Sequence, residues 1–129
     1  MIQTGILNPG INSLLSRVRH TNTLVIADRG FPYWPGVETV DISLVSGVPR
    51  VCDVICAIRV NFKIGKVFQA EEFLTANVDE LRLPFQQALA DLHVIHEPHL
   101  QLKTRVPHAI GIIRTGDATR YGNLILESA

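Results

Sequence analysis

Two short segments near opposite ends of the chain carry side chains suited to proton transfer and hydroxyl binding. The first runs Arg19-His20-Thr21-Asn22-Thr23-Leu24-Val25-Ile26-Ala27-Asp28, a histidine followed by an apolar, β-branched run that stops at an aspartate. The second runs Ile113-Arg114-Thr115-Gly116-Asp117-Ala118-Thr119-Arg120-Tyr121-Gly122-Asn123. Histidine alone titrates near neutrality unaided, which makes His20 a candidate general acid/base. A carboxylate that closes an apolar strand stands where open α/β sheets place their ligand crevices, so Asp28 is a candidate ligand or orienting group. Tyr121 and Asn123 put a phenol and an amide on either side of a glycine that permits close backbone approach, a combination suited to a polyhydroxy ligand. The set needs no cofactor and fits sugar hydroxyls and proton shuffling better than redox or phosphoryl chemistry. A second role competes at His20, that of a cation at a helix C-terminus.

Other groups carry less. His93, His96 and His99 are spaced three apart, but Pro98 interrupts any common helix, and on a strand that spacing throws His93 and His96 to opposite faces. No cysteine or acidic partner stands at a zinc spacing, so no metal is expected. His108 reads as an exposed loop residue. Cys52 and Cys56 read as small core residues on one helix face rather than as a disulfide. Neither a dinucleotide nor a phosphate-loop glycine pattern is present, nor is a serine nucleophile elbow, so no nucleotide cofactor is expected.

Composition narrows the classes further. The chain has 129 residues, enough for one domain, 1–129, with a single core. Twelve basic and twelve acidic residues cancel, which leaves no electrostatic footprint for nucleic acid. Arg17, Arg19, Arg29, Arg50 and Arg59 are scattered and read as solvent-facing. The chain opens with no signal-peptide pattern and holds no apolar run of membrane-spanning length, so a soluble, cytoplasmic protein is expected.

The elements that must position these groups follow from spacing. Asn8 and Pro9 supply an N-cap and a first helical residue, and Ile11, Leu14, Leu15 and Val18 form one stripe. Residues 23–27 read as a buried parallel strand, 28–36 as an aromatic loop, and 37–42 as a second strand. Residues 48–60 read as a helix, and 65–70 as a strand. Asn77, with Glu80 three residues on, reads as a capping box that opens another helix, with a kink or break at Pro84. Residues 93–96 read as a short strand, 98–106 as a short helix, and 109–114 and 123–127 as two more strands. Strands alternating with helices predict an α/β fold with a mostly parallel sheet covered on both sides.

Taken together, these segments resemble the D-ribose pyranase and L-fucose mutarotase family of bacterial sugar-handling proteins. The matching residues are Gly5-Ile6-Leu7-Asn8, His20 through Asp28, Gly30-Phe31-Pro32, Val40-Asp41-Ile42-Ser43-Leu44, Gly47-Val48-Pro49, and Ile113-Arg114-Thr115-Gly116 through Tyr121-Gly122-Asn123. His99-Leu100-Gln101-Leu102-Lys103 fits the family's His-x-x-Phe-Lys element with Leu102 for the aromatic. The resemblance implies a three-layer α/β/α sandwich in a single domain. It also implies an isomerase that opens and recloses a monosaccharide ring without metal or organic cofactor. His20 would be the proton donor, and Asp28, His99, Tyr121 and Asn123 would contact the sugar, with Lys103 beside His99. Phe31 or Trp34 would stack on the sugar or lie in a subunit contact. The implied assembly is a ring-like homo-oligomer, an octamer or decamer with sites at subunit boundaries, and Tyr121 or Asn123 is expected to complete the pocket of the neighbouring subunit that holds His20. Arg19 in place of the usual glycine and Leu100 in place of an acid depart from the family pattern. A D-ribose pyranase is the leading expectation, with an L-fucose mutarotase or a non-catalytic sugar-binding accessory protein as alternatives.

Overall fold

The computed structural model describes residues 1–129. Asn8 caps the first helix as its type predicts: its side chain accepts the Ile11 N–H at 3.0 Å, and α1 spans Pro9–Arg17. The chain then forms β1 (Thr23–Ala27), β2 (Thr39–Asp41), α2 (Val51–Arg59), β3 (Ile64–Ala70), α3 (Glu72–Ala76), α4 (Asp79–Ala88), β4 (Val94–Glu97), α5 (His99–Arg105), β5 (Gly111–Arg114) and β6 (Leu124–Ser128). A 3₁₀ turn, Val106–His108, follows α5. No helix is long and apolar enough to cross a membrane.

All six strands join one sheet in the order β2-β5-β1-β6-β3-β4. The pairs β2–β5, β5–β1 and β3–β4 are parallel, and β6 alone runs antiparallel to both its neighbours, β1 and β3. Because side chains alternate across a strand, each strand feeds two cores. Leu24, Ile26, Val67, Ile113, Leu124 and Leu126 pack under α1, α2 and α4. Val25, Ala27, Phe68, Ala70, Ile112 and Ile125 pack under Leu102, Val106 and Phe31 on the other face. The result is the expected three-layer α/β/α arrangement, in which β1 is buried on both faces.

Three local expectations need correction. Asn77 does not cap the next helix: it is buried, and its Nδ2 donates to the carbonyls of Phe73 and Arg120 at 3.0 and 2.9 Å. Val78 takes the cap position of α4 instead, and an additional short helix, α3, precedes it. α4 runs uninterrupted through Pro84, because the carbonyl deprived of its partner belongs to exposed Glu80 in the first turn, where water can take the bond. Of the two cysteines, only Cys52 is buried, its thiol pushed up to about 12 by burial, whereas Cys56 faces outward.

Candidate functional site

Asp28 lies one residue beyond β1 and Asn123 one residue before β6. Since β1 and β6 are antiparallel with Ile26 opposite Leu124, these two residues meet at the edge where β1 ends. The Asp28 N–H donates to Asn123 Oδ1 at 2.7 Å, and Asn123 Nδ2 donates back to Asp28 Oδ2 at 3.2 Å. The Gly30 N–H donates to Asp28 Oδ1 at 3.0 Å. Burial raises the Asp28 pKa above the usual carboxylate range, and these hydrogen bonds offset part of that rise. Asn123 is itself buried, so it holds the aspartate in place as well as facing the pocket.

His99 is the first residue of α5. Its backbone N–H, an orphan donor at a helix start, donates to the Glu72 carboxylate from α3 at 3.0 and 3.1 Å. The helix is seated by a two-point pair: Arg105 Nε and Nη2 donate to buried Glu97 at 2.6 and 3.0 Å, while the guanidinium lies 3.7 Å from the Phe68 ring centroid. The His99 ring stands edge-on to Tyr121, centroids 5.2 Å apart, and its Nδ1 is buried without a partner. Burial, reinforced by the nearby Lys103 ammonium, holds the His99 pKa below the ordinary histidine value. Lys103, one turn along α5, shares its face.

Tyr121 adopts a left-handed backbone, φ 55°, uncommon for a residue with a side chain and concentrated at functional sites. Gly122 follows it in a tight place: a Cβ there would stand 3.0 Å from the Thr119 carbonyl and 3.2 Å from the Phe85 ring. The preceding loop is fixed by buried Asp117, whose carboxylate accepts the N–H groups of Val51, at the start of α2, and Thr119 at 2.9 and 2.8 Å. Thr115 Oγ1 donates to the Ala27 carbonyl at 2.8 Å, tying the loop to β1.

These pieces enclose a cavity of about 310 Å³ lined by Asp28, Gly30, Phe31, Pro32, His99, Lys103, Arg120, Tyr121 and Asn123. Five of the six candidate residues therefore converge. Phe31 contributes an apolar wall, and Trp34 stacks behind it at 6.0 Å, outside the cavity lining. His20 does not join them. It is exposed in the turn that enters β1, beside left-handed Thr21, and the length of β1, about 16 Å of extended chain, separates it from Asp28. The helix-end role falls to its neighbour: Arg19 Nη1 donates to the carbonyls of Ser16 and Val18 at 2.6 and 3.1 Å. A larger cavity of about 530 Å³, between the end of α2 and β3, contains none of the six.

Sequence reading missed three contributors. Arg120 lines the cavity, but an exposed arginine in a polar turn carries no distinguishing signal. Asp117 and Thr115 fix the loop; their only signal was the Thr-Gly-Asp cluster directly after an apolar strand. His96 turns away from the site toward Gln69, with His96 Nε2 and Gln69 Oε1 3.0 Å apart.

The arrangement offers a neutral imidazole, a carboxylate, an ammonium, a phenol and an amide around a space of monosaccharide size, enough to hold several hydroxyls and move protons between them. Comparison with known proteins accords with that chemistry. Residues 1–129 match the model of the RbsD / FucU transport protein family. The D-ribose pyranase of Geobacillus kaustophilus is 38% identical over 128 residues, covering 99% of this chain and 93% of that protein. Bacillus subtilis RbsD, solved as a complex with D-ribose, superposes with a TM-score of 0.91 at 31% identity, covering 100% of this chain and 98% of the other. The fucose mutarotase of Streptococcus pneumoniae, solved with L-fucose, shares the fold at a TM-score of 0.79 and 16% identity, over 95% of this chain and 93% of the other.

Proposed function

The chain belongs to the RbsD / FucU transport protein family, and from that membership we propose that it interconverts the ring forms of a monosaccharide, D-ribose first, by acid/base opening and reclosure of the hemiacetal. One observation carries the reading: five polar groups separated by as many as 95 positions in the chain line one cavity of about 310 Å³.

Ring opening asks for two proton movements. A proton leaves the anomeric hydroxyl as the ring C–O bond breaks, and the ring oxygen takes a proton, giving the open aldehyde. Rotation and attack by the same or another hydroxyl reverse both movements and yield the new anomer or ring size. His99, neutral at pH 7 because burial disfavours its cation, suits the accepting role. Asp28, held by Asn123 and Gly30, fixes a sugar hydroxyl. Lys103 lies close enough to favour developing negative charge on oxygen, and Tyr121 holds a further hydroxyl. His20 is the second proton-transfer group and reaches the cavity from a neighbouring copy of the chain, since its own cavity lies at the far end of β1. The functional unit is accordingly a homo-oligomer with sites at subunit boundaries, on the scale of an octamer or decamer. No step requires a metal or organic cofactor.

Magnetisation-exchange NMR on D-ribose, with and without protein, tests the proposal. Catalysed exchange between pyranose and furanose signals is expected with no added metal and in the presence of a chelator, and His20→Ala is expected to slow it roughly tenfold or more. Exchange at the uncatalysed rate, with saturable ribose binding intact, would instead mark a sugar-binding accessory protein. Faster exchange for L-fucose than for D-ribose would reassign the substrate.

A further inference from the structure

On the opposite face of the sheet, between β3, β4 and the α3–α4 pair, lies a second candidate binding cavity, of about 260 Å³. Its walls are mostly apolar, formed by Phe73, Leu74, Phe85, Leu89 and Val94, with Gln69, Arg82, Gln86 and His96 as its polar lining. The volume corresponds to about nine waters at roughly 30 Å³ each. Gln69 is only 2% exposed. One end of its amide meets His96, and its Nε2 has no partner. Exchanging the amide oxygen and nitrogen would leave the other end bare instead. Arg82 Nε is a second buried donor without a partner. A buried polar group left unpaired is costly, and two at one mostly apolar cavity point to a missing acceptor.

We propose that this cavity is a binding site for a small, neutral, largely apolar molecule carrying a carbonyl oxygen, and that its occupancy adjusts the sugar site. Neutral chemistry follows from the charge balance, because the Arg82 guanidinium is already paired with Asp79 and its Nη1 with the Leu74 carbonyl. The apolar walls disfavour a free sugar. Adjustment follows from shared parts. Phe73 and Phe85, which pack with ring centroids 4.7 Å apart, line the second cavity, and Phe85 also abuts Gly122 beside Tyr121. Asn77 bridges the Phe73 and Arg120 carbonyls, and Glu72 on the same helix as Phe73 caps α5 at His99. A molecule that pushes on Phe73 and Phe85 therefore pushes on both edges of the sugar pocket.

Cyclohexanone serves as the probe, followed by NMR of the amide groups in the intact oligomer, a readout that needs no activity. Saturable shifts are expected at the Gln69 side-chain amide and along α3 and α4, with Gln69→Leu weakening binding roughly tenfold by removing the donor. The bulkier Leu74→Trp at the rim should block binding. The adjustment, which rests on the ring-interconversion reading, is expected as a change of roughly fivefold or more in the KM for ribose. Non-saturating shifts, or binding unchanged in Gln69→Leu, would overturn the site and leave the cavity to water. Dissociation of the oligomer by Leu74→Trp would overturn it in favour of a subunit contact. Saturable binding with an unchanged KM would overturn the adjustment alone.

Discussion

At the scale of single residues, Asp28 and His99 are displaced toward each other. Burial raises the carboxyl above its ordinary 3.8 and lowers the imidazole below its ordinary 6.5. Asp28 therefore changes charge at a higher pH than an ordinary aspartate and His99 at a lower pH than an ordinary histidine, and the sign is the same for function: as pH falls, His99 gains the proton it should accept and Asp28 loses the charge that fixes a hydroxyl. Ribose exchange is expected to fall on the acid side of neutrality as these two groups take up protons; a rate that stays constant with falling pH until the fold itself is lost would remove both from the reaction. Asn123→Ala deletes a hydrogen bond that favours the Asp28 carboxylate, so its acid limb is expected to move to higher pH, a change that simple loosening of the fold would not produce. Asp28 and Tyr121 were legible because a carboxylate at a strand end and a phenol beside glycine have few packing roles. Asn123 gave away its presence but not its task, since pairing with Asp28 depends on a register no single segment reveals.

At the scale of elements, the strongly patterned pieces read directly. Thr23–Ala27 forms the expected strand residue for residue, and the Asn8-Pro9 helix start holds its cap. The α3–α4 region did not read directly, because local spacing made Asn77 a cap whereas its side chain bridges Phe73 and the distant Arg120. Long-range bonds of that kind override local propensity. Two elements admit direct tests. A Cβ at Gly116 would stand 2.4 Å from the carbonyl oxygens of Val45 and Val48, so Gly116→Ala is expected to cost about 1–3 kcal/mol of stability by overpacking, read as a lowered Tm. Glu72→Ala removes the acceptor at the start of α5 and is expected to loosen His99, raising KM for ribose while Tm changes little. Unchanged KM would mean that α5 is held by the Glu97–Arg105 pair alone.

At the scale of the whole molecule, alternation of strands and helices announced a covered sheet, but strand direction is not written in hydrophobicity. The reversal of β6 between β1 and β3 was therefore invisible, yet it is what carries Asn123 to Asp28. A split between His20 and the Tyr121–Asn123 pair was expected, but the parting of His20 from Asp28 was not, because residues 20 and 28 lie close in sequence and are separated only by the straightness of a strand. If His20 supplies the second proton transfer, as proposed, the cavity takes it from a neighbouring copy through a head-to-tail contact, which closes into a ring when its rotation permits. The most direct measurement is complementation between two inactive proteins, His20→Ala and Asp28→Asn, mixed under conditions of subunit exchange and assayed by ribose ring exchange. If each cavity takes its histidine from a neighbour, about one quarter of the sites in an equal random mixture regain both residues, and activity should return toward that fraction of the unmodified protein. Mixed oligomers that stay inactive, or an active monomer, would contradict the shared site.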